Sequence, residues 1–376
     1  MKKHIQSISC FSVLQAETHI IIIMIIVCFS ALIFSCCSCS FDSDTNTGIE
    51  ERKTGNFIKV INWNLQTFFD AKTCGTEYSE FIGTHSYWDE EHYKSRLEKL
   101  CTFIVDEDAD VYVFEEIENA NILQDISNNL PALNCYKNPW KYACFGNSEG
   151  SALGIAVLSR YELLDMQLHQ IDYRSAYMLD SLINVDVTTD FWDNFFANPP
   201  SMRPLLEVTV CVENPLDLFV CHWKSKAGDD NGETTIWRQL QERLLADSIL
   251  AAQKTNLCQR YLICGDFNQK LEEFDTREES WHCLEGQNTK VVLHGTFENV
   301  SVYSPWNKDF SDGSYYFDGN WEKIDHFFTS QDLLLSSFEP LTDGELTCDE
   351  VPARYDICDG TGLSDHLPIM CWVSVK

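Results

Sequence analysis

Apolar residues recur along this chain at two spacings, every second residue and every third or fourth, and the two alternate from residue 57 onward. Residues 57–64 alternate as a strand. Tyr93, Leu97, Leu100, Cys101 and Ile104 share one face of a helix over residues 90–106. A strand at 110–114 then runs straight into Glu115-Glu116, and a helix near 120–130 and a strand at 153–158 follow. Residues 205–212 and 218–221 predict an antiparallel pair across Glu213-Asn214-Pro215. The clearest helix is 234–252, with Ile236, Leu240, Leu244, Ile249 and Leu250 largely on one face. Four apolar residues, Tyr261 to Cys264, read as a buried strand that Gly265 allows to turn. Beyond it the chain becomes loop-rich and aromatic until strands at 323–329 and 369–375. The pattern contains no internal repeat, and it predicts one α/β domain over residues 57–376.

The first 56 residues obey different rules. Lys2, Lys3 and His4 precede an apolar run from Ile20 to Phe34, short for a membrane span, so residues 1–40 read as a targeting segment. Leu32-Ile33-Phe34-Ser35-Cys36 resembles a relaxed bacterial lipobox, which makes Cys36 the expected lipidation site. A plain signal peptide and an uncleaved anchor are the alternatives, and all three put the remainder outside the cytoplasm. Residues 41–56, polar and charged, read as a tether.

Composition narrows the function classes. A 44% hydrophobic, 12% aromatic chain of 376 residues can build a sizeable core, which excludes global disorder. The net charge of -31, from 58 acidic and 27 basic residues, repels nucleic acid and anionic lipid at long range. That argues against tight non-catalytic DNA binding. It leaves room for a polyanionic substrate, because a divalent cation and local basic groups reverse the field inside a cleft. None of the 17 cysteines has zinc-site spacing. Cys211, Cys221, Cys264 and Cys371 fall in strand-like runs, whereas Cys135 with Cys144 and Cys348 with Cys358 are close enough to bridge within loops.

Chemistry-bearing residues gather where strands end. Asn64 closes the first strand, Glu116 the second, and His222 a middle one. Asp266 and Asn268, two apart and so on one side of an extended segment, close another. Asp325-His326 and Asp365-His366 place histidines next to carboxylates, an arrangement suited to proton transfer and phosphate contact near neutral pH. Hard oxygen donors with amides suit Mg²⁺, Mn²⁺ or Ca²⁺ rather than zinc.

The ordered set Asn62-Trp63-Asn64, Phe114-Glu115-Glu116-Ile117, Cys221-His222-Trp223-Lys224-Ser225, Gly265-Asp266-Phe267-Asn268, Lys323-Ile324-Asp325-His326 and Ser364-Asp365-His366 resembles the endonuclease/exonuclease/phosphatase superfamily, the DNase I-like fold. The resemblance runs from about residue 57 to the C-terminus. Glu115 departs from it, since the family usually carries glutamine there. The run from Ser314 to Trp321 looks like exported bacterial members.

The resemblance implies a four-layer α/β sandwich, two mainly antiparallel sheets face to face with helices outside. It implies that Glu116 binds Mg²⁺ with help from Asn64 and Asp365. It further implies that His366, oriented by Asp325, positions the attacking water or contacts the phosphate, and that Asp266 manages a proton. Asn268 and His222 would hold phosphate oxygens, with Arg203 a further phosphate contact. The expected function is a metal-dependent phosphodiesterase, a secreted or surface nuclease with nucleic acid as substrate and a lipid anchor in the membrane. Trp223, Lys224 and Lys226 offer an aromatic and two cations for an unstacked base. A sphingomyelinase-like or sugar-phosphate phosphoesterase is the enzymatic alternative, with 191–196 (Phe-Trp-Asp-Asn-Phe-Phe) its one candidate membrane hairpin. An inactive surface-binding lipoprotein is the non-enzymatic one.

Overall fold

A computed structural model describes residues 9–12, 56–133, 140–171, 202–227, 233–256, 260–278, 289–306 and 312–376. Cys36, Cys135, residues 41–55 and the candidate hairpin 191–196 lie outside them. In chain order the first strands are β1 Ser9–Ser12, β2 Phe57–Phe68, β3 Val111–Ile117, β4 Tyr142–Gly146, β5 Gly154–Ser159 and β6 Leu163–His169. Then come β7 Leu205–Val210, β8 Leu216–His222, β9 Tyr261–Asp266, β10 Asp275–Glu278, β11 Thr289–His294 and β12 Asn299–Ser304. The last are β13 Tyr315–Phe317, β14 Asn320–Glu322, β15 Asp325–Thr329, β16 Leu335–Pro340, β17 Thr347–Cys348, β18 Val351–Pro352 and β19 Ile369–Ser374. The α-helices among the described residues are α1 Glu90–Glu107, α2 Ala120–Asn129 and α3 Glu233–Asn256.

Two mixed sheets form the body. One has seven strands in the order β1-β4-β5-β3-β2-β19-β16, the other eight in the order β10-β11-β12-β15-β9-β8-β7-β6. Each contains one parallel pair, β2 with β3 and β8 with β9, and is otherwise antiparallel in its pairing.

The alternation along β2 shows how the layers arise. Ile58 and Val60 pack between the sheets, whereas Ile61, Trp63 and Leu65 pack outward with Leu97, Leu100 and Ile104 of α1 and Ile122 and Ile126 of α2. On the other side Leu245, Ala246 and Ile249 of α3 pack with Val291 and Val302. This gives the helix–sheet–sheet–helix sandwich that the resemblance implied. Asp89 caps α1 by accepting from the Glu91 and His92 amides, and Asn119 caps α2 through the Asn121 amide.

The expected elements recur within a few residues, with additions. Residues 275–304, read as loop, hold β10, β11 and β12. Val300 and Val302 of β12 point inward between exposed Asn299 and Ser301, the half-buried alternation of an antiparallel strand. Strands β4, β6 and β16 were also unforeseen, and β1, within the 1–40 segment read as a targeting signal outside the fold, pairs with β4 at the edge of the first sheet. Cys348 and Cys358 are both free and exposed.

Candidate active site

The first sheet delivers its part of the site through two bulges. Side-chain alternation places Asn62 and Asn64 of β2, and Glu115 of β3, on the inter-sheet face with Val60 and Val113. Glu116 would follow Tyr112 and Phe114 outward. Instead the register shifts between Glu115 and Ile117, and Glu116 takes a φ of +59°, which turns its carboxylate to the rim. β2 shifts register between Asn64 and Phe68, where Gln66 and Thr67 have φ values of +49° and +52°. So Asn64 and Glu116 stand at bulges just inside their strands rather than at the ends. Such left-handed non-glycine residues are costly and cluster at functional sites.

Arg96 of α1 holds this corner. Fully buried, its guanidinium donates to the carbonyls of Leu65, Gln66, Thr67 and Leu363, between the rings of Phe68 and Tyr355. The Thr67 amide, fixed in this way, donates to Glu116 Oε2 at 2.7 Å, and the Gln66 amide donates to Asn64 Oδ1 at 2.9 Å.

The second sheet ends three strands at the same rim. His222 of β8 and Asp266 of β9 lie side by side in parallel register, and Asp266 faces Asp325 of β15 across an antiparallel pair. Gly265 makes this possible. Its φ is +143°, and a Cβ would lie 1.8 Å from the Cys221 carbonyl oxygen. Asn268, with φ +49°, folds back so that its amide nitrogens donate to both Asp266 oxygens at 2.8 and 3.0 Å, and Nδ2 also donates to the Trp223 carbonyl.

Contacts then bridge the sheets. Asn64 Nδ2 donates to Asp266 Oδ2 at 3.0 Å, His222 Nε2 lies 3.6 Å from Glu116 Oε1, and His366 Nδ1 donates to Asp325 Oδ2 at 2.8 Å. His366 Nε2 points to Asp266 Oδ2 at 4.0 Å, and His222 Nε2 stands 3.6 Å from the same oxygen. Ser314 Oγ donates to Asp325 Oδ2 at 2.5 Å, and Ser364 Oγ donates to the Asn64 carbonyl while accepting from the His366 amide.

Burial and charge set the proton states. Burial pushes Asp266 up to about 7, with Asp325 and Glu116 adding to the rise against His366 and the Asn268 amide. Burial works against a charged His366, but Asp325, by charge and hydrogen bond, outweighs it and holds the ring well above the ordinary histidine value. His366 is therefore an imidazolium at neutral pH, and Asp266 is the carboxylate able to take a proton there. Burial, then the charges of Arg203 and His366, keep His222 neutral. Glu115, buried in the inter-sheet space behind the site, is driven well above the carboxyl range by burial and by Asp325 and Asp266. It is neutral, so this departure from the family pattern adds no charge.

The remaining predicted residues are at the rim or behind it. Arg203 donates to the Trp223 carbonyl at 3.1 Å and lies 3.8 Å from Glu116 Oε1. Asp365 is paired with exposed Arg354 at 3.1 Å. His326 faces the core, where burial lowers it to about 4 and Gln269 O is its partner, so it takes no part in proton transfer. Trp223 is buried against Phe267 and Phe274, and Lys226 is paired with Glu273, so they present neither the aromatic surface nor the free cation expected of them. The turn Tyr78, beside Arg203 and Glu116, had no period to reveal it. Tyr315, whose ring lies 4.6 Å from that of His366, was noticed only as part of an aromatic run.

The Asp266, Asp325 and His366 side-chain atoms lie within 4.8 Å of one another, a possible acidic metal-binding cluster whose donors would be the two carboxylates rather than the protonated His366. Glu116 Oε1 takes no hydrogen bond among the described residues and lies at the rim 3.8 Å from Arg203 and 3.6 Å from His222, a hard oxygen donor of the kind a divalent cation takes.

A buried acid–imidazolium pair beside a second carboxylate and a rim glutamate is the equipment of a phosphoester hydrolase. The Endonuclease/Exonuclease/phosphatase family model matches residues 61–366, and the chain belongs to that family. Its members are generally phosphoester hydrolases of DNase I-like fold. Similar solved structures include TDP2 of C. elegans at 13% identity, covering 85% of this chain and 75% of that one with a TM-score of 0.47. The human Nocturnin catalytic domain with bound sulfate is 14% identical over 85% and 95%, with a TM-score of 0.46. An endonuclease/exonuclease/phosphatase from Bacteroides vulgatus is 13% identical over 85% and 99%, with a TM-score of 0.44. No curated protein sequence matches the chain.

Proposed function

We propose that the protein is a divalent-metal-dependent phosphodiesterase that hydrolyses nucleic acid outside the cytoplasm. The observation that carries the reading is the His366–Asp325 pair aimed at Asp266 across the two sheets. Glu116, with Asn64 and Asp365, would hold Mg²⁺, Mn²⁺ or Ca²⁺. That ion supplies charge stabilisation to the phosphoryl group. The remaining chemistry belongs to the chain. The His366 imidazolium donates to a phosphoryl oxygen, neutral His222 holds a non-bridging oxygen, and Arg203 closes the anion pocket. The Asn268 amides, spent on Asp266 and the Trp223 carbonyl, fix the Asp266 carboxylate in place. Asp266 takes the proton of the attacking water as its oxygen bonds to phosphorus; the P–O bond to the leaving alcohol breaks, and the departing oxygen takes its proton from bulk water. Asp325 keeps His366 charged and in place.

The test is turnover of single-stranded DNA, a bis-nitrophenyl phosphate and sphingomyelin by the mature protein, each with Mg²⁺ and with EDTA. EDTA-sensitive cleavage of DNA is the expected result. Preference for sphingomyelin would replace the nuclease with a lipid phosphodiesterase. No EDTA-sensitive turnover with Mg²⁺, Mn²⁺ or Ca²⁺ would favour a binding lipoprotein. Export by a lipid anchor is part of the same reading. Cys36→Ser should shift the protein from the membrane fraction to the soluble one.

A further inference from the structure

The aromatic run ahead of Asp325 has a place in the site. We propose that Tyr315 and Phe317 form a stacking platform for the planar base of the nucleotide next to the scissile phosphate. The proposal rests on the phosphodiesterase reading and names what that site selects.

β13 pairs with β14 as a short hairpin, and strand alternation puts Tyr315 and Phe317 on one face and Tyr316 on the other, against Trp321. The Tyr315 ring lies 4.6 Å from the His366 imidazole at an interplanar angle of 36°. Phe317 continues the series, its ring 10° from parallel with that of Tyr315 and centred 6.3 Å away. Phe317 is 61% exposed, so the series runs from the acid–base group at the rim out to solvent.

The hairpin is fixed to the machinery. Besides the Ser314 bond to Asp325, the Leu367 amide donates to the Ser314 carbonyl at 2.6 Å, and Tyr315 bridges His366 in an antiparallel pair. Gly313 permits the close approach, since a Cβ there would meet the Glu322 carbonyl oxygen at 2.1 Å. Parallel rings held at a set distance from a phosphate-binding histidine suit a flat, rigid, uncharged surface, which a nucleobase has. A lipid chain has no flat face to offer them. The acidic body supplies little electrostatic attraction for a polyanion, which makes stacking a useful source of affinity.

Two oligonucleotides test this, one with bases throughout and one with a single abasic linkage at the cleaved position. The mature protein should favour the base-bearing strand by about tenfold in kcat/KM, the scale of one base–aromatic stack. In Phe317→Ala, whose exposed ring is not needed for folding, that ratio should fall toward one. An unchanged ratio in the variant, or equal cleavage of both strands by the parent, overturns the platform. If neither strand is cleaved, the phosphodiesterase reading has failed, and the platform is judged by quenching of a 2-aminopurine oligonucleotide titrated with protein. Quenching that Phe317→Ala abolishes supports it, and none with the parent overturns it. Partition of the protein into neutral lipid vesicles, lost in Phe317→Ala without any base preference, would assign the rings to a membrane instead.

Discussion

At the scale of single residues, the proposed mechanism divides proton work between two side chains with opposite needs. Asp266 must be ionised to accept a proton, so kcat/KM should rise as pH rises through about 7. His366 must keep its proton, and because Asp325 holds it above the ordinary histidine value, the rate should fall again only at higher pH. The expected profile is a bell. Asp325→Asn should move its alkaline limb toward neutrality, and Asp266→Asn should remove the acidic limb while lowering turnover about 100-fold or more. A pH profile of each variant under saturating Mg²⁺ checks both, and a parent rate flat from pH 5 to 9 would contradict the assignment.

At the scale of elements, the bulges and the helix behind them position what the motifs supply. Loss of the Arg96 guanidinium would take a donor from four carbonyls and release the turn that fixes Glu116. Arg96→Met should therefore cost about 3 kcal/mol or more in denaturant unfolding, and weaken Mg²⁺ activation as well. Gly265→Ala should be at least as damaging, because the Cys221 carbonyl occupies the space of the new methyl group. Neither Arg96 nor the bulges could be read from the sequence. An arginine on the apolar face of α1 looks like a break in the pattern until the carbonyls around it are seen. Asn64, Glu116, His222 and Asp266 were legible because each ends or closely follows a short apolar run, and Asp325 and His366 because a strand begins at or just after each. Glu115 could be located but not given a charge, since its protonation depends on Asp325 and Asp266, each more than 100 residues away. Trp223 misled because an aromatic between two polar motif residues has no periodicity to show which way it faces.

At the scale of the whole molecule, the acidic surface opposes a polyanionic substrate. Raising monovalent salt from about 10 to about 150 mM shortens the screening length from roughly 30 to 8 Å. KM for DNA should consequently fall, the reverse of a basic nuclease, while KM for a small neutral-bodied diester should change little. A KM that climbs with salt would show that local cations such as Arg203 dominate the approach. That strands and helices alternate in one α/β domain was readable from the spacings, and the sandwich followed from the motif resemblance. The order of its strands was not, since pairing partners such as β15 and β9 are far apart in sequence and separated by strands that the aromatic-rich stretch concealed.

Neither layer of strands holds a working set of groups, since Asn64, Glu116 and His366 hang from one while Asp266, His222 and Asp325 hang from the other. Catalysis thus works as a caliper on the alignment of the two layers. A slip of about an ångström would separate every pair while leaving the ladders within each layer whole. Warming should consequently silence the enzyme several degrees below the loss of its far-ultraviolet circular dichroism, and coincident transitions would mean that the layers never slide.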